Sequence, residues 1–276
     1  MALIAPKKLL NNREWYRENE IALFASDRQI LMDGLISLVG GGRIVHNSGF
    51  GNFFCPKLGV SVNRENSRIH FGYNRAFKSP PLLQTNLHRK SNPDLNPETA
   101  DHFEVGGDYN ITELLTVRGA VFYIDGNDQV GMKYIGGNAQ GFENIGSWEH
   151  KGGELSINWM LSHVFSLNAG YTYIDVGSNT QYNPKHQANL SVRTGWTLLG
   201  QELSLNLNGL GISSIYASND SRDRLNDYMV FDLYADWRVH KYSSIIIGVN
   251  NLMDERYEYV RGYSSPGRVF TAGIRL

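Results

Sequence analysis

In VFSLNAGYTY (residues 164–173), Phe165, Leu167, Ala169, Tyr171 and Tyr173 fall on one side of an extended chain, and Ser166, Asn168, Gly170 and Thr172 on the other. The same period of two recurs in QANLSVRTGW, where Ala188, Leu190, Val192 and Trp196 oppose Asn189, Ser191, Arg193 and Gly195. ELSLNLNG sets Leu203, Leu205 and Leu207 against Ser204, Asn206 and Asn208, and VFDLYADWRVH sets Phe231, Leu233, Ala235, Trp237 and Val239 against Asp232, Tyr234, Asp236 and Arg238. Read along the whole chain, the alternation predicts about thirteen strands. They lie near 18–27, 33–46, 54–64, 67–77, 100–111, 114–126, 143–160, 164–176, 185–198, 202–214, 227–239, 243–252 and 267–276.

The connections alternate in length. Tight turns at REN (64–66), ITE (111–113), LSH (161–163), LGQ (199–201) and HKY (240–242) separate long loops at 78–99, 127–142, 177–184, 215–226 and 253–266. Several strands exceed ten residues, which suits a tilted span of about 9 to 11 residues through hydrocarbon better than the usual strand of about 5 to 6. Trp148, Trp159, Tyr171, Tyr173, Trp196, Tyr228, Trp237 and Tyr257 gather at strand ends, where interfacial girdles belong. A soluble sandwich also alternates, but long strands, end-placed aromatics and two classes of loop favour an all-β, antiparallel transmembrane barrel portion. Its short turns would be periplasmic and its long loops extracellular.

Composition narrows the remaining functions. No apolar run approaches the roughly 20 residues of a membrane helix, and 26 basic against 27 acidic residues provide no electrostatic footprint for nucleic acid. Cys55 is the single cysteine, so no intramolecular disulfide forms, and NFFCPKLG reads as a packed thiol. The first twenty residues carry no secretion signal, having neither an apolar core nor a small-residue cleavage site. The eight histidines show no metal-ligand spacing, and GYSSPG (262–267) places its serines in a turn without a nucleophile's partners, so no enzyme, metal or cofactor is expected. LVGGGRIVHNSGFG reads as a flexible loop between strands, with no helix N-terminus to receive a phosphate. Asp220, Asp223 and Asp227 in SNDSRDRLND could hold calcium, although a solvated loop is the favoured reading.

A series of longer stretches resembles a known family. PKLGVSVNRENSRIHFGYNRAFKSPPL (56–82), NPDLNPETADHFEVGGDY (92–109), GAVFYID (119–125), FENIGSWEHKGGELSI (142–157), AGYTYID (169–175), NPKHQANLSV (183–192) and VNNLMDERYEYVRGYSSPGRVFTAGIRL (249–276) occur in the order seen in the C-terminal barrel of TonB-dependent outer-membrane receptors. The resemblance covers roughly residues 40–276. It implies a place in the outer membrane of a Gram-negative bacterium and energised uptake of a scarce, bulky nutrient: a ferric siderophore, haem or cobalamin. The family's barrel has about 22 strands around a plugged lumen. The chain is therefore expected to divide into an unassigned segment with a possible first strand, residues 1–30, and the C-terminal part of the barrel, residues 31–276. The plug, the N-terminal barrel strands and the segment that engages the TonB complex are expected to have no counterpart in these residues, so transport by this portion alone is not expected. A passive porin-like or adhesive barrel is the rival.

Candidate site residues follow from these expectations. Tyr134, Tyr182, Tyr216, Tyr259, Arg261 and Tyr263 sit on the long-loop side, where stacking and ion pairing with a large ligand would occur. Glu104, Asp108, Arg118, Glu154, Arg193, Asp232, Asp236 and Arg238 would face inward, toward a plug or water. In NPDLNPE, Pro93 and Pro97 bias Asn92 and Asn96 toward extended geometry and remove two backbone donors. Asn92, Pro93, Asp94, Pro97 and Glu98 thus form a stiff loop motif before a strand, with Glu98 expected to accept hydrogen bonds that anchor the loop.

Overall fold

Residues 3–6, 15–135, 138–178, 180–219 and 222–276 are described by the structure, a computed structural model. In chain order the strands begin β1 (Leu3–Pro6), β2 (Trp15–Glu18), β3 (Glu20–Leu31), β4 (Ile36–Asn47), β5 (Gly51–Arg64), β6 (Ser67–Lys78), β7 (Glu98–Thr112), β8 (Leu115–Asn127), β9 (Val130–Ile135) and β10 (Asn138–Asn144). They continue with β11 (Trp148–Ser162), β12 (Phe165–Asp175), β13 (His186–Leu198), β14 (Gln201–Ser213), β15 (Tyr228–His240), β16 (Ser243–Asn250), β17 (Glu258–Val260), β18 (Tyr263–Ser264) and β19 (Val269–Arg275). Thirteen form one sheet in the order β19, β16, β15, β14, β13, β12, β11, β8, β7, β6, β5, β4, β3. The pairs β1–β2, β9–β10 and β17–β18 are separate two-stranded ribbons, and Leu83–Leu87 form one π-helical turn.

Each of the thirteen segments expected from the alternation has its strand in this sheet, and the tight turns shrink to two residues each at 65–66, 113–114, 163–164, 199–200 and 241–242. Two expectations need correction. The strand expected at 143–160 is interrupted at 145–147, where Gly146 takes a φ of +112° and Gln129 exchanges hydrogen bonds with Gly146 and Ile145 (3.0 and 2.7 Å). The loop expected at 127–142 therefore contains the β9–β10 ribbon. The glycine-rich stretch is not a flexible loop: Gly40, Gly41 and Gly42 lie within β4. Space explains two of them, since a Cβ on Gly41 would meet Ser26 at 2.8 Å and one on Gly42 the Phe54 ring at 2.7 Å.

The chain divides into two compact units. The first comprises Met1–Arg64, Ile69–Val105 and Phe122–His150. There Leu23 pairs with Ile44 and Ile44 with Phe54, a cross-strand row whose side chains are 77%, 61% and 60% exposed. A soluble sandwich would bury such a row; hydrocarbon is the medium in which it is stable. The turn after β4 is pinned by buried Asn47, whose Oδ1 accepts from the amides of Gly49 and Phe50 (2.9 and 3.2 Å).

The second unit comprises Glu65–Arg68, Gly106–Val121 and Lys151–Leu276. Its register aligns Leu167, Val192, Leu207, Leu233, Val249 and Phe270 in one apolar row across six strands. One position along, Asn168, Ser191, Asn208 and Asp232 align in a polar row on the opposite face. Ser191 donates to Asn208 (3.0 Å) and Arg275 to Asp236 (2.6 Å) on that face. The buried cluster of this unit lies at the loop end of the strands: Ile212, Ile215, Ala217, Leu225 and Tyr228.

Candidate functional site

Two groups of long loops carry the candidate residues, one in each unit. In the first unit the run 90–98 lies against the β9–β10 ribbon. Phe142 donates its amide to the Lys90 carbonyl (3.1 Å), and the Asn92 side-chain amide donates to the Phe142 carbonyl (3.0 Å). Asn92 also accepts from the amide of Asp94 (3.0 Å), closing an Asx turn around Pro93. The Asn96 amide donates to Asn144 Oδ1 (2.8 Å), while Asn144 Nδ2 donates back to the Asn96 carbonyl (3.0 Å) and to that of Asp128 (2.7 Å). Glu98 Oε1 accepts from the Val130 amide (2.7 Å), and Lys78 Nζ lies 3.4 Å from Glu98 Oε2. Leu95 packs inward at 3% exposure, and His88 meets the Phe142 ring edge-on. Asp94, for its part, stays exposed.

The chemistry of this motif is therefore structural. Pro93 and Pro97 have no N–H to give a ladder, so asparagine side chains take the place of backbone partners opposite β10. Tyr134 lies on β9 opposite Ala139; its side chain is outside what the structure describes. Asn144 was not singled out by sequence reasoning, and a lone asparagine after FE gives no signal.

In the second unit three loops interlock, 176–185, 214–227 and 251–268. The Tyr182 amide donates to the Tyr216 carbonyl (2.7 Å), Gln181 Nε2 donates to the Ala217 carbonyl (3.1 Å), and the Tyr182 ring packs on the buried cluster. Tyr216 bridges Gln181 on one side and Arg224 on the other. Arg224 clamps Asp227 with two bonds of 2.8 and 2.7 Å, and Asp227 also accepts from the Ser214 amide (2.9 Å) and Ser213 Oγ (3.0 Å). Burial pushes the Asp227 carboxyl up, but the bonds from Ser214, Arg224 and Ser213 outweigh it and hold the group below its ordinary value. The same bond raises the Arg224 guanidinium above its usual range.

Arg261 reaches across to Asp223 (2.5 Å) and to the Arg224 carbonyl (3.3 Å), joining the β17–β18 ribbon to the 214–227 loop. Tyr259 and Tyr263 stand on that ribbon, 48% and 75% exposed. The site thus gathers Tyr182, Tyr216 and Arg261, with Tyr182 turned inward, and leaves Tyr259 and Tyr263 to solvent. Tyr257 was not expected as a site residue; it stacks on Tyr228 at 4.3 Å. It lines a cleft of 660 Å³ together with Arg224, Arg256, Arg261, Ser264 and Ser265. Arg256 has no ion pair among the described residues. The carboxylates suggested for calcium are otherwise engaged, Asp223 by Arg261 and Asp227 by Arg224, while Asp220 lies outside the described residues.

The base of the 251–268 loop is fastened by two residues of NLMDE. Asn251, 4% exposed with φ +52°, donates Nδ2 to the carbonyls of Glu255 (2.8 Å) and Pro266 (3.2 Å) and accepts from the Glu255 amide (2.8 Å). Asp254 accepts from the amide of Arg268 (2.8 Å).

A family model for TonB-dependent receptor-like β-barrels matches residues 3–252. The chain is 25% identical over 289 residues to the ferrienterobactin receptor of Escherichia coli, covering 89% of this chain and 38% of that protein. It is 24% identical over 310 residues to the iron-regulated outer membrane virulence protein of Vibrio cholerae, covering 99% of this chain and 46% of that one. The solved ferric enterobactin receptor of Pseudomonas aeruginosa superposes with a TM-score of 0.79 at 21% identity, over 96% of this chain and 45% of that structure. The chain thus spans less than half the length of the curated relatives it matches.

Proposed function

The chain belongs to the TonB-dependent receptor-like β-barrel family, and from that premise we propose that it forms the C-terminal barrel portion of an outer-membrane receptor for energised uptake of an iron chelate. Family membership puts it in the outer membrane of a Gram-negative bacterium, in a transport setting with no catalytic role. The observation that carries the ligand class is the second unit's cleft of 660 Å³, where Arg256, with no ion pair among the described residues, stands with Tyr257 beside Arg224 and Arg261, which Asp227 and Asp223 already hold, and the carboxylates of Asp254 and Glu258. That volume falls in the range of about 300 to 1,000 Å³ typical of small-molecule sites. Arginine and tyrosine together suit an anionic, ring-bearing ligand, and a ferric catecholate combines negative charge with aromatic rings. Tyr182, Tyr216, Tyr259, Arg261 and Tyr263 serve as its surroundings on the loop side of the second unit, and Tyr134, on β9 of the first unit, is a separate candidate.

β3 and β19 are each paired on one side only within the thirteen-stranded sheet. Unpaired backbone donors and acceptors in hydrocarbon cost several kcal/mol each, so further strands, a plug domain and the TonB complex are the partners in this reading.

The test is uptake of radiolabelled iron by cells carrying or lacking the gene for this chain, supplied with ferric enterobactin, haem iron or, in a parallel assay, labelled cobalamin. Gene-dependent uptake of the catecholate that stops when the proton-motive force is collapsed is the expected result. Uptake that persists without that force sinks the energised reading in favour of a passive barrel. Preference for haem or cobalamin overturns the ligand class. Arg256→Ala should weaken ferric enterobactin binding about tenfold, the scale of a lost charge-assisted contact.

A further inference from the structure

The β9–β10 ribbon stands outside the thirteen-stranded sheet, and its register slips between Ala139 and Gly141. An isolated two-stranded ribbon is at best marginally stable in water. Its place must come from contacts at its base, and those contacts are lopsided. On the β9 leg, the amide of Val130 is taken by the carboxylate of Glu98, the first residue of β7. On the β10 leg, Phe142 is bracketed by the Lys90 carbonyl and the Asn92 amide, and Asn144 exchanges two bonds with the Asn96 peptide unit. Asn144 also holds the carbonyl of Asp128 at the entry to β9, so one side chain ties both legs to the loop.

Side-chain amides here stand in for strand rungs that proline forbids, and the rungs connect the ribbon to the 79–97 loop more than to any strand of the sheet. We propose that Asn92, Asn144 and Glu98 tie the 79–97 loop and the β9–β10 ribbon into one element, which opens and re-forms as a unit. The two pieces share their hydrogen bonds, so neither can shift by more than a fraction of a bond length without breaking several at once. An element held in this way opens cooperatively.

The experiment is hydrogen exchange on the whole receptor in detergent, comparing wild type with Asn144→Ala and, as a milder lesion, Asn92→Ala. In Asn144→Ala the peptides covering 79–97 and 130–144 should both exchange at least about tenfold faster, while those of β12 to β16 stay unchanged. Asn92→Ala should raise both by a smaller, common factor. Loosening of the ribbon alone, with the 79–97 loop as protected as before, overturns the proposal.

Asn144→Asp separates positioning from bulk: it keeps the acceptor for the Asn96 amide but sets a carboxylate against two carbonyls, so its exchange should match the alanine variant. Wild-type protection in Asn144→Asp would show that the two donated bonds do not hold the element, and would overturn the assignment of Asn144.

Discussion

Replacing Asp227 by Asn removes the charge on which the 214–227 loop is organised while leaving its shape almost intact. In the native loop the carboxylate takes two bonds from Arg224 (2.8 and 2.7 Å), one from the Ser214 amide (2.9 Å) and one from Ser213 Oγ (3.0 Å). Both members of the ion pair are close to half exposed, at 47% and 46%. Solvent screening therefore keeps the pair itself near the exposed range of about 0.2 to 1 kcal/mol. The asparagine carbonyl can keep the Ser214 amide, but its NH₂ faces the Ser213 hydroxyl and the guanidinium, adding roughly one lost neutral bond of about 1 kcal/mol. The sum, about 1 to 2 kcal/mol, opens the loop roughly 5 to 30 times more often.

Exchange of the 214–227 amides, corrected for intrinsic rates, measures this directly. The sign of the pH dependence follows from the depressed carboxyl. Its stabilisation is fully present above the unfolded value of about 3.9 and disappears as the pH falls through the lower folded-state value. Wild type should thus keep its protection from neutral pH down to about pH 4 and lose it below, whereas Asp227→Asn should show the loosened loop throughout that range. Equal protection of the two at neutral pH, or a wild-type loss centred near pH 6, would refute the role given to Asp227.

Other perturbations test the faces and the packing. Val192→Arg places a charge in the apolar row at mid-strand and should destabilise the membrane-inserted protein by about 2 to 4 kcal/mol, while Ser191→Arg on the polar face should cost under about 1 kcal/mol, read by urea titration in liposomes. Gly126→Ala should destabilise by about 1 to 3 kcal/mol in a thermal melt, because its Cβ would land inside the ring of Trp148, which lies over the glycine. Asn251→Ala should cost about 3 kcal/mol, since three side-chain bonds vanish from a 4% exposed position and alanine is strained at φ +52°. Its signature would be faster proteolysis confined to the 251–268 loop, with the sheet intact.

The sheet was legible because each of its strands repeats one physical rule. Leu167, Val192, Leu207 and Leu233 must face one medium and Asn168, Ser191, Asn208 and Asp232 another, so a period of two is written into every segment, and two-residue turns leave no other way to join them. β9 and β10 escaped because the ribbon packs on a loop and does not divide two media along its length, so it has no such rule to obey: Met132, Lys133 and Phe142 follow no period along it. The paired glycines at 136 and 137 fall within the loop expected at 127–142 and lie outside the described residues. Gly41 and Gly42 of β4 escape for the converse reason, since their smallness answers to Ser26 and Phe54 on neighbouring strands and leaves no periodic trace.

NPDLNPE and NLMDE, which fall in two of the stretches that resemble the family, share a physical task. Each lies where a long loop meets the sheet, and in each side chains satisfy backbone groups: Asn92 and Glu98 those of the β9–β10 ribbon, Asn144 of the ribbon those of Asn96, and Asn251 and Asp254 those of residues 255 to 268. A loop base must satisfy N–H and C=O groups that no ladder reaches, and only particular side chains at particular spacings do so. A loop surface carries no such requirement, and its composition is free to follow a ligand. Motif residues and ligand-contacting residues are therefore expected to be different sets in this chain. Exchanging Tyr259 and Tyr263, both exposed on the β17–β18 ribbon, for Ser should alter ligand affinity or selectivity and leave folding untouched; exchanging Asn251 should do the reverse, loosening the loop that presents them. Paired binding and proteolysis measurements on the two variants distinguish the cases, and a Tyr259→Ser, Tyr263→Ser protein that loses its fold along with its ligand would mean that surface and base are one structure after all.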